Sequence, residues 1–378
     1  MLTFPVSPAE FQERYFEREP ALWRAVLTKG HAASLEDVDR LLERIELDEQ
    51  RMQLINHGLV PQPSYTIDAV EFGERRRRLK KAMFYDQLRS GATLVLNRIE
   101  SYEPQFKSLC TEVAQLAGLP TTSNAYLSFT GSGSFGKHWD THDVFAIQLI
   151  GRKRWQVFEP TWLLPLPQHT SSSFGPHTGA LRIDTVLEPG DVLYIPRGWW
   201  HEAIPLELAS FHLSVGAYAP TVNDYLLWVA NQWLPLQIQA RRTFTQAGVA
   251  TTELQTLFDA FVKAASDPRT HRQFAFELQR RERHVSSLDL ETHVACAPLS
   301  ESAIARMTAS FLRDGERLLV NGDWYPLDPQ ASRVVDVLRD SAALRIDALH
   351  ARIPNLPLNS LRSTILQLAA RDIVSIEH

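Results

Sequence analysis

From Ala125 to about Pro220 the chain breaks into short β-rich runs: "AYLSFTG", "VFAIQLI", "KRWQVFEP", "LRIDTVLEPG", "DVLYIPRG" and "FHLSVGAYA". Gly and Pro punctuate them. Several short strands with turn signals between them predict a sandwich or barrel of roughly a hundred residues. This stretch is the candidate all-β core, and the flanking sequence must be fitted around it.

The flanks read as helical. "SPAEFQERYF" opens with a candidate cap at Ser7 and Glu10 at the capping-box position. "SLEDVDRLLERIELD" repeats apolar residues at helical spacing, and "PQFKSLCTEVAQLAGLP" is an amphipathic helix stopped by Gly118 and Pro120. Ser90 to Glu100 reads as a short strand in an otherwise mainly helical first hundred residues. Beyond Pro220, "TVNDYLLWVANQWLPLQIQARR" and "ELQTLFDAFVKAAS" carry strong apolar faces. Such faces cover the barrel, the default reading, or meet a second copy of the chain. The last segment combines a strand pair around Asn321-Gly322 with helices "SRVVDVLRDS" and "LNSLRSTILQLAARD" and a final "IVSIEH", a pattern similar to a small winged-helix unit. The expected division is 1–90, 91–220, 221–295 and 296–378.

Composition narrows the chemistry. The 378 residues are 44% hydrophobic and 22% charged with a net charge of −5, an ordinary globular balance without a basic field for nucleic acid. Thirteen His against two Cys means that a metal site must use imidazole and carboxylate, which favours iron, manganese or nickel over structural zinc. Cys110 and Cys296 suggest no disulfide framework, as in a reducing cytoplasm. The N-terminus lacks a signal-peptide core, and no apolar run approaches a membrane span. The expectation is a soluble cytoplasmic protein.

Within "FGKHWDTHDVFAIQLIGRKRW", His138 and Asp140 lie two apart beside a strand, so both can face one ion. "LEPGDVLYIPRGWWHEA" offers His201 after a turn as a third ligand. Two His and one carboxylate on one face of a small barrel form the facial triad of non-haem Fe(II) oxygenases. Each piece also has a plainer reading: His142 and Asp143 as turn polar groups, His201 as a surface residue after a bend. "TGSGSFG" reads as a bend beside the metal. Strand alternation puts Gly151, Lys153 and Trp155 on one face and Arg152 and Arg154 on the other. Trp199 and Trp200 either form an aromatic pair at a pocket mouth or pack under their turn. The run Arg75–Lys81 is a solvated face or, alternatively, a contact for RNA. A Gly-x-Ser-x-Gly elbow and a P-loop are both absent from the sequence.

"SNAYLSFTGSGSFGKHWDTHDVFAIQLIGRKRWQVF" together with "LEPGDVLYIPRGWWHEA" resembles the JmjC-type 2-oxoglutarate oxygenases of the ribosomal-oxygenase group. The resemblance implies an α+β chain built on a double-stranded β-helix (jelly roll, cupin) at 91–220. A helical N-terminal region would support it, a helical segment at 221–295 would dimerise, and a winged-helix domain would close the chain. It implies Fe(II), 2-oxoglutarate and dioxygen, with hydroxylation of an Arg or His side chain of a ribosomal protein and release of succinate. His138, Asp140 and His201 match the family's iron ligands. Lys153 matches the basic residue that holds the cosubstrate's distal carboxylate, Arg in bacterial members and Lys in eukaryotic ones. Ser214, Asn124 and Tyr126 match or neighbour residues lining the cosubstrate site. His142 becomes a pocket-edge or substrate contact, and His212 a substrate contact or a buried structural residue. Two other classes remain: a 2-oxoglutarate hydroxylase of a small molecule or biosynthetic peptide, and a non-enzymatic metal-binding regulator with a DNA-binding winged helix. The intact triad with Lys153 argues against the regulator, as does a final helix carrying only Arg362 and Arg371.

Overall fold

The computed structural model describes residues 1–28, 33–129, 135–175, 179–206, 209–244, 250–281, 288–308, 312–341 and 343–377. The "TGSGSFG" bend lies largely outside them. The chain divides into two compact units, Met1–Ala219 and Pro220–His378.

The first unit holds twelve strands among the described residues: β1 (Ala21–Trp23), β2 (Met52–Ile55), β3 (Thr66–Glu71), β4 (Glu74–Leu79), β5 (Thr93–Asn97), β6 (Thr121–Ser128), β7 (Asp143–Ile150), β8 (Lys153–Phe158), β9 (Leu181–Leu187), β10 (Val192–Ile195), β11 (Trp200–Pro205) and β12 (Ser210–Ala217). Seven of them form one sheet in the order β1-β10-β7-β12-β6-β5-β2, and β11-β8-β9 form a second. Every pairing within these sheets is antiparallel.

The apolar run of β7 explains the layering. Alternate residues Phe145, Ile147 and Leu149 join a large core with Phe106, Leu109 and Val113 of the helix Pro104–Ala117. Their neighbours Val144 and Ala146 point the other way, packing with Trp155, Val157 and Leu187 of the smaller sheet. A strand covered on both faces has no need of polar alternation, so it reads as continuously hydrophobic. The space between the two sheets is where inward-facing polar residues of β6, β8 and β12 collect.

The first hundred residues are not mainly helical. Besides helices Leu35–Arg44 and Lys81–Arg89 they supply β1 and β2 to the large sheet and a separate hairpin, β3–β4. Segments such as "ALW" and "MQLI" are too short to show a period of two; they become strands by pairing with β10 and β5. The basic run lies on β4, where Arg77 donates to Asp68 at 2.9 Å and Arg76 to Glu74 at 3.1 Å. A cleft of about 1160 Å3 beside it is lined by Arg75–Arg78 together with Asp39, Glu43, Glu46 and Asp48. Much of the run's charge is therefore answered locally.

The second unit has its own core, including Ala305, Leu318, Val334, Leu349, Leu361 and Val374. The helix after Pro220 runs Val222–Trp233 and stops short of the apolar pattern, because Pro235 has no N–H to continue it. Helices Thr251–Ala265 and Pro268–Arg281 follow. The strands Ile304–Met307, Leu344–Arg345 and Val374–Glu377 form one sheet, and Leu312–Asp314, Arg317–Val320 and Asp323–Pro326 a second. Asn321 and Gly322 both take positive φ, 53° and 87°, as a two-residue hairpin turn demands. Helices Pro329–Arg339, Ile346–Arg352 and Leu358–Ala369 cover these strands. Among the described residues no helix is long and apolar enough to cross a membrane.

Candidate metal centre

Two segments far apart in sequence are laced together by backbone bonds. His138 N–H donates to His201 O at 3.1 Å and His201 N–H to His138 O at 2.8 Å. Gly198 N–H donates to Asp140 O at 3.0 Å, and Arg197 N–H to the Asp143 carboxylate at 2.8 Å. Ligand atoms of His138, Asp140 and His201 consequently lie within 4.8 Å of one another. The two imidazole rings stand 4.4 Å apart between centroids, and His201 Nε2 is 3.6 Å from Asp140 Oδ2.

Hydrogen bonding orients both rings. His138 Nδ1 faces Gly136 O at 3.0 Å, and His201 Nδ1 faces Trp199 O at 3.0 Å. A carbonyl only accepts, so each Nδ1 carries the proton and each Nε2 is left as a lone-pair donor. Burial opposes ionisation of Asp140, but the His201, His138 and His142 rings hold its carboxyl below the usual range. Burial, with His138 alongside, pushes His201 down to about 4. Ionised carboxylate and neutral imidazole are the forms a divalent metal requires. The set matches the two-His-one-carboxylate geometry of non-haem iron sites.

A second cluster lies between the sheets. Lys153, the first residue of β8, is 2% exposed, and its Nζ reaches Tyr126 O at 3.3 Å and His212 Nδ1 at 2.7 Å. Among the described residues no carboxylate pairs with it, and burial pushes its ammonium down to about 7. A buried cation without a counter-charge is costly and marks a place for an anion. His212 stacks on Tyr126 at 5.0 Å and meets the edge of Trp155 at 5.3 Å. Trp155 lies 6.1 Å from His201, so it stands between the lysine cluster and the His138–Asp140–His201 group. Phe135 makes a second link, 5.6 Å from Tyr126 and 6.2 Å from His138.

The remaining predicted residues sort by strand parity. Register pairs Ser214 with Asn124 and His212 with Tyr126 across β12 and β6, so these four share one face. Asn124 Oδ1 accepts from Arg98 N–H at 3.4 Å. Arg154, on the opposite face to Lys153, is engaged at the surface by Asp184 at 2.5 Å. His142 stands beside Asp140 but its ring stacks on Tyr218 at 4.7 Å, outside the ligand group. Asp143 is buried, accepts from Tyr194 Oη–H at 3.2 Å, and burial pushes it up to about 6.

Trp199 and Trp200 form no aromatic pair at a pocket mouth. Trp199 is 7% exposed and packs between the sheets with Val144 and Ile195, while Trp200 is 4% exposed and packs with Trp139 and Phe158. Trp200 also donates to Thr161 Oγ1 at 2.9 Å. Trp200 opens β11 while Trp199 precedes it, and the two side chains join separate buried clusters. Tyr218, Phe135 and Trp155 were not singled out as site residues from sequence; only Trp155 carried a signal, its shared parity with Lys153.

The turn that launches β8 is a sensitive point. Gly151 has φ +61°, and a Cβ there would stand 2.0 Å from Ala209 O. Gly151→Ala is expected to cost about 2 kcal/mol or more, since both the backbone region and the close approach oppose it. Thermal melts should show a Tm lower by several degrees; an unchanged Tm would contradict this reading of the turn.

The JmjC domain family matches residues 95–225. Human Ribosomal oxygenase 1 is 28% identical over 256 residues, covering 63% of this chain and 36% of that protein. Ribosomal oxygenase 2 of Rattus norvegicus is 35% identical over 146 residues, covering 38% and 30% respectively. The bifunctional lysine-specific demethylase and histidyl-hydroxylase NO66 of Drosophila persimilis is 27% identical over 227 residues, covering 57% and 31%. The chain thus spans between 30% and 36% of the length of these three relatives. Among solved structures, the Escherichia coli ribosomal oxygenase YcfD in complex with cobalt and 2-oxoglutarate superposes with a TM-score of 0.60 at 20% identity, over 100% of both chains. That likeness carries the fold.

Proposed function

We propose that this chain, which carries a JmjC domain at residues 95–225, is an Fe(II)- and 2-oxoglutarate-dependent oxygenase that hydroxylates an Arg or His side chain of a ribosomal protein. The observation that carries the reading is the pairing of two features: a His138–Asp140–His201 donor set within 4.8 Å, and a buried, uncompensated Lys153 in the adjoining space. The relatives support it, being ribosomal oxygenases and a histidyl-hydroxylase by name.

Bound iron, with 2-oxoglutarate and dioxygen, supplies the oxidising power to hydroxylate an unactivated C–H bond. His138 Nε2, His201 Nε2 and an Asp140 carboxylate oxygen would hold the metal, the two imidazoles oriented through their Nδ1 atoms. Lys153 Nζ takes the far carboxylate of 2-oxoglutarate, with Tyr126, Asn124 and Ser214 lining the space between. Trp155, 3% exposed, screens that space from water. His142, stacked on Tyr218 beside Asp140, is the residue placed to meet the substrate.

The reading extends to the second unit. Helices Val222–Trp233 and Thr251–Ala265 expose Leu227 at 55%, Phe258 at 59% and Val262 at 60%, an apolar face suited to a homodimer. The helices and sheets of residues 304–377 are read as a winged-helix-like unit. Contact with RNA through Arg75–Lys81 forms no part of the reading, because Asp68 and Glu74 already hold two of the four guanidinium groups.

The test is intact-mass spectrometry of ribosomal proteins from a strain lacking this protein and from its parent. One ribosomal protein is expected to be lighter by one oxygen atom in the deletion strain. Identical spectra would transfer the activity to a small molecule or biosynthetic peptide.

A pH dependence follows from Lys153. In the ligand-free protein its ammonium loses its proton near 7, far below the ordinary lysine value. A carboxylate is held by the charged form, so affinity for 2-oxoglutarate is fully present below that pH. It should fall about tenfold per pH unit above it. Stability moves the opposite way: between about 7 and the ordinary lysine range the unfolded chain binds the extra proton, so the ligand-free protein gains stability as pH rises. Calorimetric titration of metal-loaded protein at several pH values checks the first trend; an affinity flat across neutrality would contradict it.

A further inference from the structure

We propose that Asp143, Arg197 and Glu17 are positioning residues of the metal centre, fastening the turn that carries His201 to the segment that carries His138 and Asp140. The inference rests on the proposed function and adds to it a support drawn partly from outside residues 95–225, the span of the JmjC match. β11 begins at Trp200, so the place of His201 is set by the turn at 196–199, which Trp199 N–H closes onto Pro196 O at 3.2 Å. Arg197 is the hub of that turn. Its backbone N–H donates to Asp143 Oδ1 at 2.8 Å. Its guanidinium donates to Glu17 Oε1 at 2.6 and 3.1 Å, and to Pro165 O at 3.1 Å. Tyr194 closes the circuit: its hydroxyl accepts from Glu17 N–H at 3.2 Å and donates to Asp143 Oδ2 at 3.2 Å. Asp143, Arg197, Glu17 and Tyr194 thus form one ring of hydrogen bonds drawn from three distant stretches of chain.

The ring runs beside the ligands. Asp143 follows Asp140 on one segment, Arg197 precedes His201 on the other, and Gly198 N–H joins the two by donating to Asp140 O at 3.0 Å. Asp143 is 4% exposed and Tyr194 fully buried, so water competes little for these bonds. Glu17 has φ 57°, a region that a non-glycine residue enters only at a cost, and its bonds to Tyr194 and Arg197 hold it there. Without the Asp143 carboxylate, Arg197 N–H loses its acceptor and the turn loses a tie to the segment of Asp140. The His201 imidazole is then less firmly placed against the other two donors, and a metal site pays for such looseness in affinity.

The experiment measures Co(II) binding to the full-length protein by calorimetry, together with the visible absorption spectrum of the bound Co(II) and the Tm, with no turnover required. Asp143→Ala is expected to weaken binding roughly 10- to 100-fold and to shift the Co(II) bands. Asp143→Asn keeps an acceptor for Arg197 N–H and should recover most of that loss. Glu17→Ala, which frees the guanidinium and spares Asp143, should weaken binding about tenfold. Wild-type affinity and spectrum in either alanine variant, whatever its Tm, would mark the ring as packing alone and overturn the proposal. An Asp143→Asn protein that loses as much as Asp143→Ala would overturn it too. Should Asp143→Ala fail to fold, Glu17→Ala decides on the same two readouts, its side chain being 30% exposed. Wild-type protein that does not bind Co(II) at all would overturn the proposed function, and the positioning role with it.

Discussion

Asp140→Ala should abolish both metal binding and succinate formation, a loss of roughly a thousandfold or more in turnover. That exceeds the 10- to 100-fold typical of groups that only support a metal ligand. The carboxylate is the sole anion of the donor set, and the imidazoles of His138, His201 and His142 all act on it. Its removal leaves a neutral pair that holds a divalent cation weakly. The fold should survive, because Asp140 lies in the loop before β7 and its side chain is 33% exposed. The backbone bonds joining His138 to His201 do not involve its side chain. His138→Ala should behave alike. Metal content by elemental analysis and Tm by calorimetry check both halves; undiminished turnover in either variant would remove the oxygenase assignment.

Lys153→Met is the second large effect, and here affinity and stability should move in opposite directions. The substitution keeps most of the side-chain length while deleting a buried cation that no carboxylate offsets among the described residues. Affinity for 2-oxoglutarate should fall roughly 100-fold or more, since a charge-assisted contact and its donor geometry are both lost. The ligand-free protein should melt no lower than wild type, because an isolated buried charge is destabilising. Reassignment of the role to Arg154 is blocked by geometry: that side chain is outside the sandwich and bound to Asp184. Calorimetric titration and thermal melts suffice to check both signs. An unchanged affinity would contradict the reading.

The His138–Asp140–His201 group was legible because its signals are local. His138 and Asp140 share strand parity, and His201 follows a turn that ends a strand of the same region. Lys153 was legible by alternation within "GRKRW", where the structure buries Lys153 and Trp155 and leaves Arg154 exposed. What escaped depends on contacts between distant segments. β1 and β2 are strands only because β10 and β5 offer them partners. Phe135 enters the site edge-on to Tyr126 and Tyr218 by stacking on His142, relations with no period in the sequence. Of the two readings open for Trp199 and Trp200, packing is the one the structure bears out, since the two side chains join separate buried clusters.

The central claim is that the donor set and the lysine cluster act together as one oxidising site. It is tested most directly by measuring succinate released from 2-oxoglutarate by the Fe(II)-loaded protein, with ribosomal proteins from a deletion strain as substrate. The account predicts succinate in step with oxygen incorporated into one ribosomal protein, and neither product from Asp140→Ala. Succinate at the same rate from wild type and Asp140→Ala, or none from wild type supplied with Fe(II), would contradict it.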